Sequence, residues 1–226
     1  MTPKTFLFSG LIVLMGALST LGQASAPASV DTAYNRVVTE RAAKIVATLN
    51  LSEPAKSARV QERIAQQYRD LNAIHERRKE AIKNRVEMAP TATKLAEKEK
   101  LEGEITGELK TLHTDFLARL AADLNSQQID QVKDGMTYGV LPITYKGYQA
   151  MLPDLTEAQK KQILAWLTEA RERAMDEGTS KEKHAMFGKY KGRINNYLSA
   201  AGIDLKQAGK AWEERIASEA EKARKQ

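Results

Sequence analysis

The fold of this chain is decided by residues 60–120, which read VQERIAQQYRDLNAIHERRKEAIKNRVEMAPTATKLAEKEKLEGEITGELKTLHTDFLARL. Apolar residues recur there every three or four positions, which is the spacing of an amphipathic helix. The pattern is interrupted at Ala89 and Pro90 and then resumes. Two long helices joined by a short Pro-containing link predict an antiparallel helical hairpin, which we place at about 52–123.

Helical spacing also precedes the hairpin and returns at about 155–223. Between these parts, residues 135–153 hold three glycines, two prolines and three tyrosines. That composition predicts a loop at about 135–152, with a brief strand around Val140–Tyr145. We therefore expect residues 27–226 to form a single all-α domain, in which the long hairpin packs with several shorter helices and one Gly/Pro/Tyr-rich loop.

The composition excludes several classes of protein. Hydrophobic residues make up 42% and charged residues 28% of the 226 residues, which suits a folded globular chain. There is no cysteine. Disulfides, thiolate metal sites, a cysteine nucleophile and a lipid-modified N-terminal cysteine are therefore excluded.

The first 26 residues have the features of a secretory signal peptide. One positive charge at Lys4 precedes an apolar run over residues 6–18, and small residues follow. The run is too short for a transmembrane anchor. Cleavage after Ala26 fits the usual pattern, and cleavage after Ala24 or Ala28 stays open. We expect an exported protein, periplasmic or released, that is not a lipoprotein and has no transmembrane segment in its mature chain.

The net charge is mildly positive. It is +6 for the whole chain, and removing the leader, in which Lys4 is the one charged residue, leaves +5. Such a surface can attract acidic glycans, anionic lipid or acidic unfolded chains, or it can simply be a soluble surface with a small surplus of Lys. Export argues against nucleic acid as a partner.

A short internal repeat, L-[N/T]-x-x-Q-x-x-Q-[V/I], occurs at residues 124–132 and 155–163. Each copy predicts a capping box, in which Asn125 or Thr156 caps the helix and the Gln three residues later reaches back. The second copy also resembles the LTxxQ signature of the periplasmic Spy and CpxP-type stress proteins. That resemblance implies a protein that holds unfolded clients or senses envelope damage.

A wider resemblance covers nearly the whole mature chain. The stretches ERAAKIVATL (40–49), QYRDLNAIH (67–75), ARERAM (170–175) and KHAMFGKYKGRINNYL (183–198) are similar to a bacterial secreted family catalogued as domain of unknown function 3826. The resemblance implies an association with polysaccharide-utilising bacteria and with sugar binding. It supplies no residue roles to carry over.

The segment KHAMFGKYKGRINNYL offers the first candidate binding surface. Gly188 and Gly192 lie inside a helical pattern, where each costs about 1 kcal/mol relative to Ala, so a neighbouring helix or a ligand is expected to approach there. Cations and amides that would suit a uronic acid lie on that surface and beside it: His184, Lys189, Lys191, Arg193, Asn195 and Asn196. The alternative is tight helix packing with a solvated basic rim.

Three tyrosines offer a second candidate surface. Tyr138, Tyr145 and Tyr148 lie in the predicted loop together with Lys146. Flat aromatic rings with polar neighbours are suited to stacking on sugars. Alternatively, the rings anchor the loop to the helices.

Catalysis has less support. In the predicted hairpin His75 and His113 are too far out of register to share a metal, and pairs such as Asp70 with Glu76 or His113 with Asp115 are arbitrary choices among 29 acids. We expect no metal, no cofactor and no catalytic residue. The sequence favours a non-catalytic binding protein for carbohydrate, including acidic polysaccharide fragments; the alternatives are a Spy-like chaperone or stress sensor and, third, a glycan-active enzyme with a carboxylate pair.

Overall fold

The computed structural model describes residues 28–225. The predicted signal peptide lies outside the described residues. Eight α-helices form the described part: α1 (Ala28–Ala47), α2 (Pro54–Ala81), α3 (Lys94–Ala121), α4 (Ser126–Met136), α5 (Val140–Met151), α6 (Glu157–Met175), α7 (Ser180–Ala200) and α8 (Leu205–Arg224). The predicted all-α class is confirmed.

Helices α2 and α3 form the predicted long hairpin. A π-helical turn, Ile82–Glu87, extends α2 toward the tip. Ion pairs join the two helices in antiparallel order: Arg63 with Asp123 at the open end, Arg78 with Glu102, and Arg85 with Glu104 near the tip. Apolar side chains between the helices, including Ile74 and Leu101, are buried.

Two further apolar cores are present in the described residues. The first joins α1 to the hairpin and α4 around Phe116 and Ile64, both without exposed surface. The second joins α5, α6 and α7 around Phe187 and Ile163. Helix α6 lies between α5 and α7 and packs against both. None of the helices in residues 28–225 combines the length and apolar character needed to cross a bilayer.

The capping boxes are confirmed. Asn125 accepts from the backbone N of Gln128, and Thr156 accepts from that of Gln159, with the glutamine bonding back in each case. A third box, Thr179 with Glu182, opens α7 and was not predicted. These boxes satisfy backbone amides that a helix start leaves free.

The predicted loop at 135–152 and its brief strand are wrong. The chain turns within three residues, where Tyr138 and Gly139 have φ values of 60° and 65°, and then forms helix α5. Pro142 lies in the first turn of α5, where its missing N–H is not needed by the helix. Glycine and proline are typical of loops, but here they mark a tight turn and a helix start.

Candidate functional site

The predicted binding residues of α7 lie on different sides of the helix. His184, Lys191 and Asn195 recur at intervals of seven and four, so they share one flank of the helix with Gly188. Arg193 lies on the opposite flank. Lys189 and Asn196 are exposed and point away from the core between these flanks.

Tyr148 of α5 meets the first of these flanks. Its hydroxyl donates to Asn195 Oδ1 at 2.7 Å, and only 7% of the residue is exposed. Burial raises the pKa of Tyr148 to about 12, so the hydroxyl keeps its proton. Because Tyr148 occupies Asn195 Oδ1, the amide nitrogen of Asn195 stays available as a donor.

A surface recess of about 310 Å³ opens beside this hydrogen bond. We call it the α5–α7 recess; its lining residues are Thr144, Gly147, Tyr148, Met151, Lys191, Asn195 and Trp212. Three of them, Tyr148, Lys191 and Asn195, were predicted from the sequence. The recess therefore combines two aromatic rings, one amide, two hydroxyls and one cation.

Sequence reasoning missed Trp212, which comes from α8. The chain has two tryptophans, so a flat ring near the end of the chain was the available signal. Arg215, one turn later, donates to the carbonyls of Ala150 and Met151 at 2.9 and 3.3 Å. These carbonyls end α5, where a cation is favoured, and the bonds hold α8 and its Trp212 against the recess.

The glycines beside the recess are not explained by packing. At Gly147 and Gly188, no other part of the described structure comes within 4 Å of an added Cβ atom. The predicted close approach of a neighbouring helix at Gly188 and Gly192 is therefore wrong. Open space remains at Gly147, which lines the recess, and at Gly188, which shares a flank with Lys191 and Asn195.

Tyr138 meets the same flank of α7 at its other end. The rings of Tyr138 and His184 are tilted, with centroids 5.3 Å apart. Tyr138 is 44% exposed and has a left-handed backbone that costs energy for a residue with a Cβ. The tight turn before α5 thus holds an aromatic ring at the protein surface.

The remaining predicted residues lie away from the recess. The guanidinium carbon of Arg193 lies 4.5 Å from the ring centroid of Trp166, and its nitrogen is 3.8 Å from Glu169. Tyr145 lies on the other flank of α5, near Lys160. Lys146 is exposed to solvent.

A separate charged cluster joins the hairpin to α6. His75 Nε2 donates to the main-chain oxygen of Asp176 at 2.7 Å, and His113 Nδ1 lies 3.0 Å from the Asp176 carboxylate. This hydrogen bond, with a second carboxylate at Glu172, raises the pKa of His113 to about 9. A recess of about 490 Å³ opens beside His113.

The carboxyl group of Glu172 in this cluster is ionised at neutral pH. Burial by itself would raise its pKa, but His113 and Lys133 hold it down to about 2. Glycoside hydrolysis needs one carboxylic acid that keeps its proton, and Glu172 does not supply it. In residues 28–225 no three His, Asp or Glu side chains are grouped so that they could hold a metal.

The described part of the chain is thus an all-α protein with a polar and aromatic recess between α5 and α7, which both pack on α6. The chain belongs to the family described as protein of unknown function DUF3826, whose sequence profile matches residues 35–218. No curated protein sequence matches the chain.

Proposed function

We propose that this protein is a non-catalytic carbohydrate-binding protein and that the α5–α7 recess is its binding site. The observation that carries the proposal is the convergence of Trp212, Tyr148, Asn195 and Lys191 around one open recess. Sugar sites commonly combine flat rings with a few directed polar groups.

The chemistry of each group suits a sugar ring. Trp212 offers an apolar face to the C–H side of a pyranose, while the Asn195 amide nitrogen donates to a hydroxyl. The Tyr148 oxygen, which donates to Asn195, can still accept. Lys191 adds a charged donor that can bind a hydroxyl or a carboxylate.

Export and glycan use remain part of this proposal. They rest on the predicted signal peptide and on the resemblance that the sequence shows to a secreted family of polysaccharide-utilising bacteria. An exported binding protein in that setting would meet oligosaccharides at the cell envelope.

The chaperone alternative has less support in the structure. A client-holding protein is expected to offer a broad apolar face. The large apolar side chains exposed in the described residues are spread over α1, the hairpin tip, the turn before α5, and helices α5, α6 and α8: Val37, Met88, Leu95, Tyr138, Ile143, Leu164 and Ile216.

The test is a thermal-shift screen of the mature protein against neutral and acidic oligosaccharides, followed by calorimetry on any hit. A ligand that binds the folded state raises the melting temperature in a saturable way. We expect Trp212→Ala and Asn195→Ala each to weaken binding at least roughly tenfold, or about 1.4 kcal/mol.

Arg193→Ala is the matched control, because Arg193 lies on the opposite flank of α7 and should leave binding unchanged. If Arg193→Ala removes binding while Trp212→Ala does not, the site lies at Trp166 and the proposed recess is wrong. If no glycan binds and the protein suppresses client aggregation on the same batch, the chaperone function replaces this one.

A further inference from the structure

The two helices that border the recess carry a net positive charge. Helices α5 and α7 together carry six Lys and Arg residues against one acid, Glu182. Their surplus of five charges equals the +5 expected for the chain without its leader. The charges of the rest of the chain after the leader sum to zero, and the surplus on α5 and α7 favours anions near these helices.

Three exposed lysines of α5 and α7 form no ion pair within the described residues, and one of them, Lys191, lines the recess. Within residues 28–225, the ammonium groups of Lys146, Lys189 and Lys191 form no ion pair with an acidic side chain. The one acid, Glu182, is held by the backbone N and hydroxyl of Thr179. An anionic ligand in the recess would thus meet the unpaired ammonium group of Lys191.

Two contacts, Tyr138 with His184 and Tyr148 with Asn195, place α5 and the turn before it alongside α7, and we call the surface between these contacts the α5–α7 furrow. One side is the flank of α7 from Asn195 through Lys191 and Gly188 to His184. The other is the flank of α5 that carries Met151, Gly147 and Thr144 in the recess and, one turn earlier, Val140. At 1.5 Å per residue, the stretch from His184 to Asn195 spans about 16 Å.

Both ends of the furrow carry aromatic rings. Trp212 and Tyr148 lie at the Asn195 end, and Tyr138 stacks on His184 at the other. Between them, Gly188 leaves open space where a side chain would stand. The furrow is longer than one sugar ring and is open along its middle.

We propose that the α5–α7 furrow binds an extended anionic oligosaccharide, with one sugar ring on Trp212, an acidic group at Lys191 and a further ring at the Tyr138–His184 end. This inference rests on the proposed function, because it assigns the ligand class of the same site. The acidic group can be a uronate carboxylate or a sulfate, since both are anions that an ammonium group binds.

The experiment is calorimetry with oligogalacturonides of increasing length, sulfated oligosaccharides, and neutral oligosaccharides of the same lengths. Affinity for the anionic series should increase with length until the chain spans the furrow and then level off. It should also fall as salt is added. Preference for the uronate or the sulfate series identifies the source of the charge.

Three variants separate the parts of the inference. Lys191→Gln should weaken binding of anionic chains roughly tenfold more than it weakens binding of neutral chains. Gly188→Gln should weaken binding of long chains and spare short ones, because it fills the middle of the furrow. Gly192→Gln is its matched control on the same helix, since Gly192 also has open space but lies outside the furrow flank.

The outcomes distinguish the two proposals. Equal affinity for neutral and anionic chains, or no effect of Lys191→Gln, overturns the anionic assignment while carbohydrate binding stands. Equal effects of Gly188→Gln and Gly192→Gln overturn the extended furrow. Failure of every glycan, with all variants folded, overturns the proposed function itself.

Discussion

At the scale of single residues, the most unusual side chain in the interior is Gln67. It is 1% exposed on the core-facing stripe of α2. Neither its Oε1 nor its Nε2 has a hydrogen-bond partner within the described residues. A buried amide without partners loses its hydration without compensation. Gln67 therefore lowers the stability of the first core.

Replacing Gln67 by Met should raise the free energy of unfolding by about 1 kcal/mol, because Met has a similar length and no polar group to desolvate. Urea unfolding measures the change. Gln66→Met is the control: Gln66 donates to Asp70 at 2.7 Å and accepts from Arg69, so its loss should not stabilise. A destabilised Gln67→Met protein would show that a buried water satisfies the amide.

At the scale of secondary structure, glycines inside the helices that border the furrow lower the stability of those helices. The methyl group of an Ala at position 147 in α5 would meet no other atom within 4 Å. Gly inside a helix lowers the helix's stability by up to about 1 kcal/mol relative to Ala. Gly103 and Gly107 of α3 are equally unobstructed. The difference is that only Gly147 lines the α5–α7 recess.

We therefore expect Gly147→Ala to raise the melting temperature and yet weaken oligosaccharide binding. The added methyl group favours the helix but enters the recess. Gly107→Ala should raise the melting temperature by a similar amount and leave binding unchanged. Thermal unfolding and calorimetry on both variants measure these two effects. Unchanged binding by Gly147→Ala would show that Gly147 is not part of the binding site.

At the scale of the whole molecule, Asp176 joins both helices of the hairpin to the end of α6. His75 bonds its main-chain oxygen and His113 its carboxylate. Lys183 of α7 lies beside this point and donates to the carbonyls of Ala174 and Met175. Polar bonds from α2, α3 and α7 thus converge on the end of α6.

This junction makes stability depend on pH in a defined direction. The folded-state pKa of His113 is raised from 6.5 to about 9, so its contribution is complete below pH 6.5 and is lost as pH rises through about 9. Burial lowers the pKa of Lys183 to about 8. A depressed lysine pKa acts in the opposite direction, because stability rises where only the unfolded chain is protonated.

The effect of His113 is therefore isolated by comparing the unfolding free energies of the wild type and the His113→Gln variant. The stability gap between wild type and His113→Gln should be largest, about 2–3 kcal/mol, at about pH 6 and should shrink by about pH 9.5. Lys183 is present in both proteins, so its effect cancels. Urea unfolding at the two pH values measures the gap, and a gap independent of pH would show that His113 is not charged in the folded protein.

Local signals in the sequence were enough for much of the fold. The hairpin follows from apolar spacing with one break at Pro90, and two of the capping boxes follow from Asn125 and Thr156 with their paired glutamines. Each depends on residues within a few turns of one another. The helix in residues 140–151 was missed because glycine and proline have the same local signature in a loop and at a helix start.

The all-α class, the hairpin and the presence of cations, amides and tyrosines in two short segments follow from the sequence alone. Which of these side chains meet depends on how the helices pack. Tyr148, Lys191 and Asn195 converge because α5 and α7 both pack on α6, and Trp212 joins them because Arg215 fastens α8 to the end of α5. These contacts join residues more than 40 positions apart, and the spacing of residues along the chain does not specify how such distant helices pack.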